Sequence, residues 1–140
     1  MIPEMGMDAV SALGSIPLLQ GIERKDLERL ARSFRERTFN EGDAITTEGE
    51  PGTGFFVILE GSAQVTVHGQ TVATLGPGEA LGEMALLDEG PRSATVIAAT
   101  DLRCIALTPW EFRPFVEEHP TVAWTLLQTL AARLRAAEAA

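Results

Sequence analysis

The stretch LGEMALLDEGPRSATV, residues 81–96, decides how this sequence is interpreted. Arg92 stands behind Pro91, at the start of the strand-like run 93–97. A guanidinium in apolar, strand-forming sequence is costly to desolvate unless it is paired. Its planar fork matches two oxygens of a phosphate better than a lysine ammonium does. Arg92 is therefore a candidate ligand for an anion.

The residues upstream of Arg92 supply other parts of an anion site. Glu83-Met-Ala-Leu-Leu favours a helical turn, whose first backbone N–H groups would point outward unpaired. Gly82 has no Cβ and lets a ligand approach the backbone closely. Glu83 would repel a phosphate unless it accepts a hydrogen bond from another part of the same ligand, such as a ribose hydroxyl. From the residues alone, an internal Glu83–Arg92 salt bridge or a solvated loop remains the alternative.

The sequence around this stretch, from residue 38 to residue 107, is typical of a sandwich or barrel of short strands. Runs rich in Val, Ile, Thr and Phe alternate with glycine-bearing turns such as NEGD, LEGS and LGPGE. The candidate strands are Ala44–Thr47, Phe55–Leu59, Ala63–His68, Thr71–Leu75, Ser93–Ala98 and Leu102–Leu107.

Helical patterns precede the strands. Residues 8–13 form a short candidate helix that Pro17 ends, and residues 25–34 carry apolar side chains at helical spacing.

Helical patterns also follow the strands. Thr108 suits an N-cap before Pro109 and a helix over residues 110–118. The dipeptide His119-Pro120 then breaks the chain, and Thr121 can cap a last helix.

The last helix carries a seam of apolar residues in steps of four and three: Ala123, Leu127, Leu130, Leu134 and Ala137. Such a heptad-like seam is compatible with packing on the helix's own domain and with a homodimer contact. The sequence does not decide between these two interpretations.

Composition and length exclude several functions. The 140 residues fit one domain, and eleven basic against twenty acidic side chains give a net charge of −9, which disfavours nucleic acid as a partner. No signal peptide and no run of eighteen apolar residues is present, so we expect a cytoplasmic protein without membrane contact. The single cysteine, Cys104, lies in an apolar run and is expected to be a small core residue.

The sequence lacks the sets of residues that catalysis or metal binding would require. The glycine-rich segment 49–54 has no following Gly-Lys-Ser/Thr and reads as a hairpin turn, not as a phosphate loop. His68 and His119 are too few and too far apart in sequence for a metal centre of the cupin type. We therefore expect no enzyme activity, no catalytic residue, no metal and no cofactor.

GEMALL followed by PRSATV resembles the phosphate-binding cassette of the cyclic nucleotide-binding domain family. The resemblance extends to PLLQGIERKDLERLARSF and to EGDAITTEGEPGTGFFVILEGSAQV. It implies a mainly β fold, a β-roll (double-stranded β-helix or jelly roll), in a single domain over residues 1–140. The implied parts are N-terminal helices over 8–36, the roll over 37–107 with its cassette at 81–96, and two C-terminal helices over 109–140.

The resemblance also implies roles for individual residues. Arg92 would clamp the exocyclic oxygens of the cyclic phosphate, and Glu83 would accept from the ribose 2′-hydroxyl. The backbone N–H groups of Ala85 and Ser93, with the Ser93 hydroxyl, would complete the anion site, and Gly82 would lie against the sugar. The base would contact four apolar residues: Val65, Val72, Ala73 and Leu75. Cyclic AMP is the expected ligand, with cyclic GMP as the alternative.

Two departures from the family pattern matter. The base is often covered by a polar or aromatic residue of the last helix, whereas here the nearest residue is Ala137. Glu138, a partner subunit or sequence outside this chain could supply the contact. Related bacterial activators continue into a helix-turn-helix domain, for which this chain has no room, so no DNA-binding regulator is expected.

The resulting hypothesis is a sensor in which capture of the phosphate repositions the C-terminal helices for an unknown effector protein. Three alternatives remain. The cassette could be degenerate in a scaffold or dimerisation module, the chain could be a regulatory piece of a longer enzyme or channel, or it could be a cupin-like enzyme.

Overall fold

A computed structural model describes residues 8–52, 54–87 and 90–139 of the chain. Two helices, α1 (Ala9–Gly14) and α2 (Arg24–Ala31), precede the strands and enclose a 3-10 turn at Pro17–Leu19. The strands are β1 (Arg35–Phe39), β2 (Ala44–Thr46), β3 (Phe55–Glu60), β4 (Ala63–Val67), β5 (Gln70–Leu75), β6 (Ala80–Leu81), β7 (Thr95–Ala98) and β8 (Leu102–Leu107). A second 3-10 turn, Glu83–Leu86, is called the cassette turn below, and the helices α3 (Pro109–Glu118) and α4 (Pro120–Ala139) follow the last strand.

The strands form two antiparallel four-stranded sheets in the orders β1-β8-β3-β6 and β2-β7-β4-β5. Neighbouring strands come from distant parts of the chain: Phe55 of β3 pairs with Leu107 of β8, and Val65 of β4 pairs with Val96 of β7. This interleaving produces a β-roll with helices at both ends of the sequence. The predicted mainly β fold with flanking helices is confirmed.

The strand β3 is buried on both faces, which explains why its sequence FFVILE shows no polar alternation. Phe55, Val57 and Leu59 pack with α1, α2, α3 and α4 on the outside of the first sheet. Phe56 and Ile58 pack inside the roll, against a cluster that includes Cys104. Cys104 is fully buried there, as predicted.

Two strands, β1 and β6, were absent from the sequence prediction. Residues 8–36 were assigned to helices, but α2 ends at Ala31 and the roll begins at Arg35, not at residue 37. The sequence RERTF of β1 is mostly exposed and charged, so it lacks the apolar signal of a strand. Its partner β8 determines its conformation, through a register that pairs Arg37 with Cys104.

The predicted start of α3 is confirmed. The backbone N–H and the hydroxyl of Thr108 donate to Glu111 Oε1 at 3.2 and 2.8 Å, and Pro109 occupies the first turn. The start of α4 differs from the prediction, because Pro120 is already its first residue. Thr121 therefore lies inside the first turn and does not cap it, and its carbonyl accepts a hydrogen bond from Thr125 Oγ1 at 3.0 Å.

The apolar seam of α4 does not face the domain as a unit. Val122 and Leu126, outside the predicted seam, are the buried residues of this helix. Of the seam, Leu130 packs against the core, whereas Leu127 and Leu134 are 57% and 61% exposed. None of the helices in the described residues is both long enough and apolar enough to span a bilayer.

Candidate functional site

A cavity of about 540 Å³ lies between the second sheet and the loop that follows the cassette turn. Seven of the nine residues predicted for the ligand site line it: Val65, Ala73, Leu75, Gly82, Ala85, Arg92 and Ser93. Residues separated by up to 28 positions in sequence therefore meet around one space. A volume of this size is typical of sites for small molecules.

Two predicted residues stand apart from this group. Val72 is 60% exposed and does not line the cavity. Successive side chains on a strand point to opposite faces, so with Ala73 facing the cavity, Val72 faces away from it. The side chain of Glu83 lies outside the described part of the structure, and so do Asp88 and Glu89.

The prediction missed other residues of the cavity wall: Thr46, Ala80, Leu81, Gly90, Pro91, Ala94 and Val96. Gly90, Pro91 and Ala94 are sequence neighbours of Arg92, which could have indicated them. Thr46 gave no such signal. It is a buried polar residue whose hydroxyl donates to the carbonyl of Ala94 at 3.1 Å, so it holds the end of the cassette against β2.

The backbone of Arg92 is fixed by the loop that precedes β3. The Arg92 N–H donates to the carbonyl of Glu50 at 3.0 Å, and the Arg92 carbonyl accepts from the N–H of Gly49 at 2.8 Å. An isolated bridge between Pro51 and Pro91 continues this pairing. Arg92 thus belongs to a bridge between two loops, and the strand β7 begins only at Thr95.

The guanidinium of Arg92 lies in a space that exists because two glycines lack side chains; we call Gly52 and Gly82 the glycine notch. Arg92 Nη2 donates to the carbonyl oxygen of Gly54 at 2.6 Å. A Cβ on Gly52 would overlap Arg92 Nε, and a Cβ on Gly82 would overlap Arg92 Nη1. Gly82 also has a φ of +78°, which disfavours any other residue. The glycine predicted to admit a ligand therefore first admits the arginine.

Arg92 carries a charge that no described residue neutralises. None of the ion pairs among the described residues involves it. Burial lowers the pKa of the Arg92 guanidinium from its ordinary value, because a charge is less favourable away from water. A half-buried cation at a cavity wall, bonded among the described residues only to a carbonyl, is suited to bind an anion.

The predicted free N–H of Ala85 is not free in this conformation. Residues 83–86 form a 3-10 turn, in which the Ala85 N–H donates to the carbonyl of Gly82 at 3.0 Å. In a 3-10 turn this N–H bonds to the third residue back, whereas the first turn of an α-helix would leave it unpaired. The Ala85 amide can meet a ligand only if the turn rearranges.

Comparison with known proteins identifies the fold family. The sequence model of the family described as "Cyclic nucleotide-binding domain" matches residues 36–119. The cyclic AMP receptor protein of Thermus thermophilus is 35% identical over 127 residues, which cover 87% of this chain and 59% of that protein. A cyclic nucleotide-gated potassium channel of Mesorhizobium japonicum is 37% identical over 128 residues, which cover 91% of this chain and 36% of the channel.

A solved structure gives the same result. The crystal structure of the N-terminal domain of a transcriptional regulator from Streptomyces coelicolor A3(2) superposes with a TM-score of 0.85 at 33% identity, covering 95% of this chain and 97% of that one. The chain spans less than two thirds of the two longer relatives named above. With the family match extending from β1 to the end of α3, over the roll that contains the cavity, this chain belongs to the cyclic nucleotide-binding domain family.

Proposed function

We propose that this chain binds a cyclic nucleotide, with cyclic AMP preferred, and acts as a sensor without catalysing a reaction. One observation carries the proposal: a guanidinium with no ion pair among the described residues lies at the wall of a 540 Å³ cavity lined largely by apolar side chains. A cyclic phosphate would supply the missing negative charge, and the apolar walls would contact the base.

In this proposal Arg92 binds two exocyclic oxygens of the phosphate, and Ser93 adds its hydroxyl and backbone N–H. Both residues line the same cavity. Arg92 Nη2 already donates to Gly54, so the arginine either keeps that bond and turns its other edge to the phosphate, or exchanges it. Glu83 is proposed to accept from the ribose 2′-hydroxyl, which gives the adjacent carboxylate a role that does not oppose the phosphate.

The choice of base is proposed to be permissive. Val65, Ala73 and Leu75 offer only apolar surface. The hydroxyl of Thr46, at the same wall, is already engaged with the carbonyl of Ala94. Ala137 on α4 is exposed and has no side-chain donor. We expect cyclic AMP to bind more tightly than cyclic GMP, and a titration in which cyclic GMP binds tenfold tighter would reverse this assignment.

Ligand capture is proposed to act on the C-terminal helices through the cassette turn. The phosphate would compete with the Gly82 carbonyl for the Ala85 N–H, and this competition would open the turn. Leu86 of the turn belongs to the same core cluster as Phe112 and Phe115 of α3. A rearranged turn therefore changes the surface on which α3 packs, and α4 follows directly after α3.

A homodimer through α4 is proposed as one possible output of this change. The exposed apolar residues Trp124, Leu127 and Leu134 would form the contact. Leu130, the middle residue of the predicted seam, is partly buried against the core of its own domain.

Isothermal titration calorimetry with cyclic AMP tests the binding proposal. Removing one partner of a buried charge pair costs about 3–5 kcal/mol. Because Arg92 is only half-buried, we expect Arg92→Ala to weaken binding at the lower end of this range, by on the order of a hundredfold. Arg92→Lys should recover part of the affinity, since the charge stays and the fork is lost.

Arg113→Ala is the matched control, because Arg113 pairs with Glu117 on the exposed face of α3. This variant should bind like the parent. A folded Arg92→Ala variant that binds cyclic AMP within threefold of the parent would show that the cavity does not hold the phosphate as proposed.

A further inference from the structure

A second cavity, of about 420 Å³, lies where the end of the first sheet meets the start of α3. β1 contributes Arg35 and Arg37 to its wall, and α3 contributes Trp110 and Glu111. It shares no lining residue with the first cavity. Gly54 lines the second cavity while its carbonyl accepts from Arg92, so the two spaces lie on either side of one peptide.

The charges around this second cavity do not cancel. Glu111 is the one acid in its wall, and it is engaged with Arg35 at 3.6 Å and with the N–H and hydroxyl of Thr108. The Arg37 side chain forms no ion pair or hydrogen bond with any residue in the described ranges; its guanidinium lies 5.1 and 5.9 Å from the ring centres of Phe39 and Phe56. An unneutralised positive charge therefore faces this cavity in a chain whose net charge is −9.

The rim of the cavity is exposed and aromatic. Trp110 is 64% exposed, and the side chain of Arg35 is 81% exposed. Tryptophan and arginine are the residue types most enriched at energetically important positions of protein interfaces. Cation–π contacts use the faces of the Phe39 and Phe56 rings and consume no N–H group of Arg37, which lines the cavity.

We propose that this second cavity binds an acidic segment of a partner protein, in which carboxylates alternate with apolar side chains. Arg35 and Arg37 are two positions apart on one strand, about 7 Å, which is also the spacing of alternate side chains in an extended peptide. Carboxylates at alternate positions could therefore meet both guanidinium groups, while an apolar side chain contacts the Trp110 indole. A nucleic acid is disfavoured because its regular negative charge would extend beyond Arg35 and Arg37 over a chain of net charge −9, whereas a short acidic segment would stay at the local positive charge.

The chain carries its own reporter for this interaction. It has two tryptophans, so Trp124→Phe leaves Trp110 as the single indole. The probe is a synthetic octapeptide with glutamates alternating with leucine and valine, and the control peptide carries glutamine in place of each glutamate. We expect a saturable change in Trp110 emission with the acidic peptide and none with the neutral one. The titration contains no cyclic nucleotide, so its result is independent of the function proposed above.

Arg37→Gln should weaken binding of the acidic peptide at least tenfold, through loss of a charge-assisted pair. Arg24→Gln, which removes the same charge from an exposed position on α2, should leave the affinity within twofold. Trp110→Ala, measured by calorimetry, should also weaken binding and tests the site if Arg37→Gln does not fold. Equal binding of the two peptides, or equal losses in Arg37→Gln and Arg24→Gln, would overturn the proposal. Tighter binding of a single-stranded DNA oligonucleotide than of the peptide would overturn it in favour of a nucleic-acid site.

Discussion

Replacing Gly52 by alanine tests whether the glycine notch holds Arg92, without altering the arginine itself. The new Cβ would overlap Arg92 Nε and lie 2.9 Å from its Cζ, so the guanidinium must move. Gly52 does not have a positive φ, and alanine is therefore compatible with its backbone. The moved arginine loses its 2.6 Å hydrogen bond to Gly54, a charge-assisted bond of a class worth about 1.5–3 kcal/mol.

The expected effects on stability and on binding differ. Because Arg92 is partly exposed, the free energy lost with this hydrogen bond should lie at the lower end of that range. Alanine in turn stabilises the folded state by about 0.4–1 kcal/mol, because it restricts the unfolded chain. The free energy of unfolding should therefore fall by only about 1 kcal/mol. Affinity for cyclic AMP should fall about tenfold, because the arginine no longer sits in its binding position.

A double-mutant cycle measured by calorimetry shows whether Gly52→Ala lowers the cyclic AMP affinity by displacing Arg92. In an Arg92→Ala background, Gly52→Ala should change the cyclic AMP affinity by less than threefold, since there is no arginine left to displace. Gly76→Ala is the matched control, because a Cβ there meets no atom within 4 Å. If Gly52→Ala lowers the affinity equally in both backgrounds, the glycine acts on the ligand directly and the reasoning about Arg92 is refuted.

Three further outcomes are expected. If Glu83 accepts from the ribose, 2′-deoxy cyclic AMP should bind the parent about ten- to a hundredfold more weakly than cyclic AMP, and Glu83→Gln should narrow the gap; equal affinities would remove the role. Leu127→Glu should shift any dimer toward monomer in sedimentation velocity, whereas Leu130→Glu should mainly lower the melting temperature; a parent that is monomeric with and without ligand would exclude the dimer. Burial raises the pKa of Cys104 to about 11, so at pH 8 Ellman's reagent should label the thiol only after unfolding; prompt labelling of the folded chain would contradict this.

The roll and the position of its cassette could be predicted from the sequence because their signals are local. Six strands carried apolar runs between glycine turns, and each appears in the structure with its ends shifted by at most two residues. β1 could not be predicted in this way. Its alternating charges are explained only by its pairing with β8, which follows more than sixty residues later, and no local pattern reports a partner at that distance.

The residues of the site that could be predicted are those that lie close together in sequence. Arg92, Ser93 and Gly82 lie within one stretch, and the structure places them at one cavity. Gly52 and Gly54 were interpreted as part of a hairpin turn, and nothing local shows that Gly52 leaves room for an arginine about forty positions later. Val72 was predicted together with its neighbour Ala73, although adjacent residues of a strand point to opposite faces. The exposed sequence of β5 does not indicate which face is covered. The role of the Ala85 amide was implied by the family resemblance, and in this structure its N–H is bonded within a 3-10 turn.

The contacts at the junction between α3 and α4 determine where α4 would turn in the proposed switch. His119 stacks on Phe115, and its Nδ1 lies 2.8 Å from the Phe115 carbonyl, so this nitrogen must be the donor. Nε2, 3.4 Å from Arg29 Nη1, is then the acceptor, which ties the junction to α2. Beyond Leu130 the helix α4 contributes no buried residue. With a length of ~30 Å, a pivot of about 10° at His119 would carry its far end through about 5 Å. If the proposed switch rotates α4 at this junction, a small rotation there would become a displacement of roughly a side chain's width at the outer end of the helix.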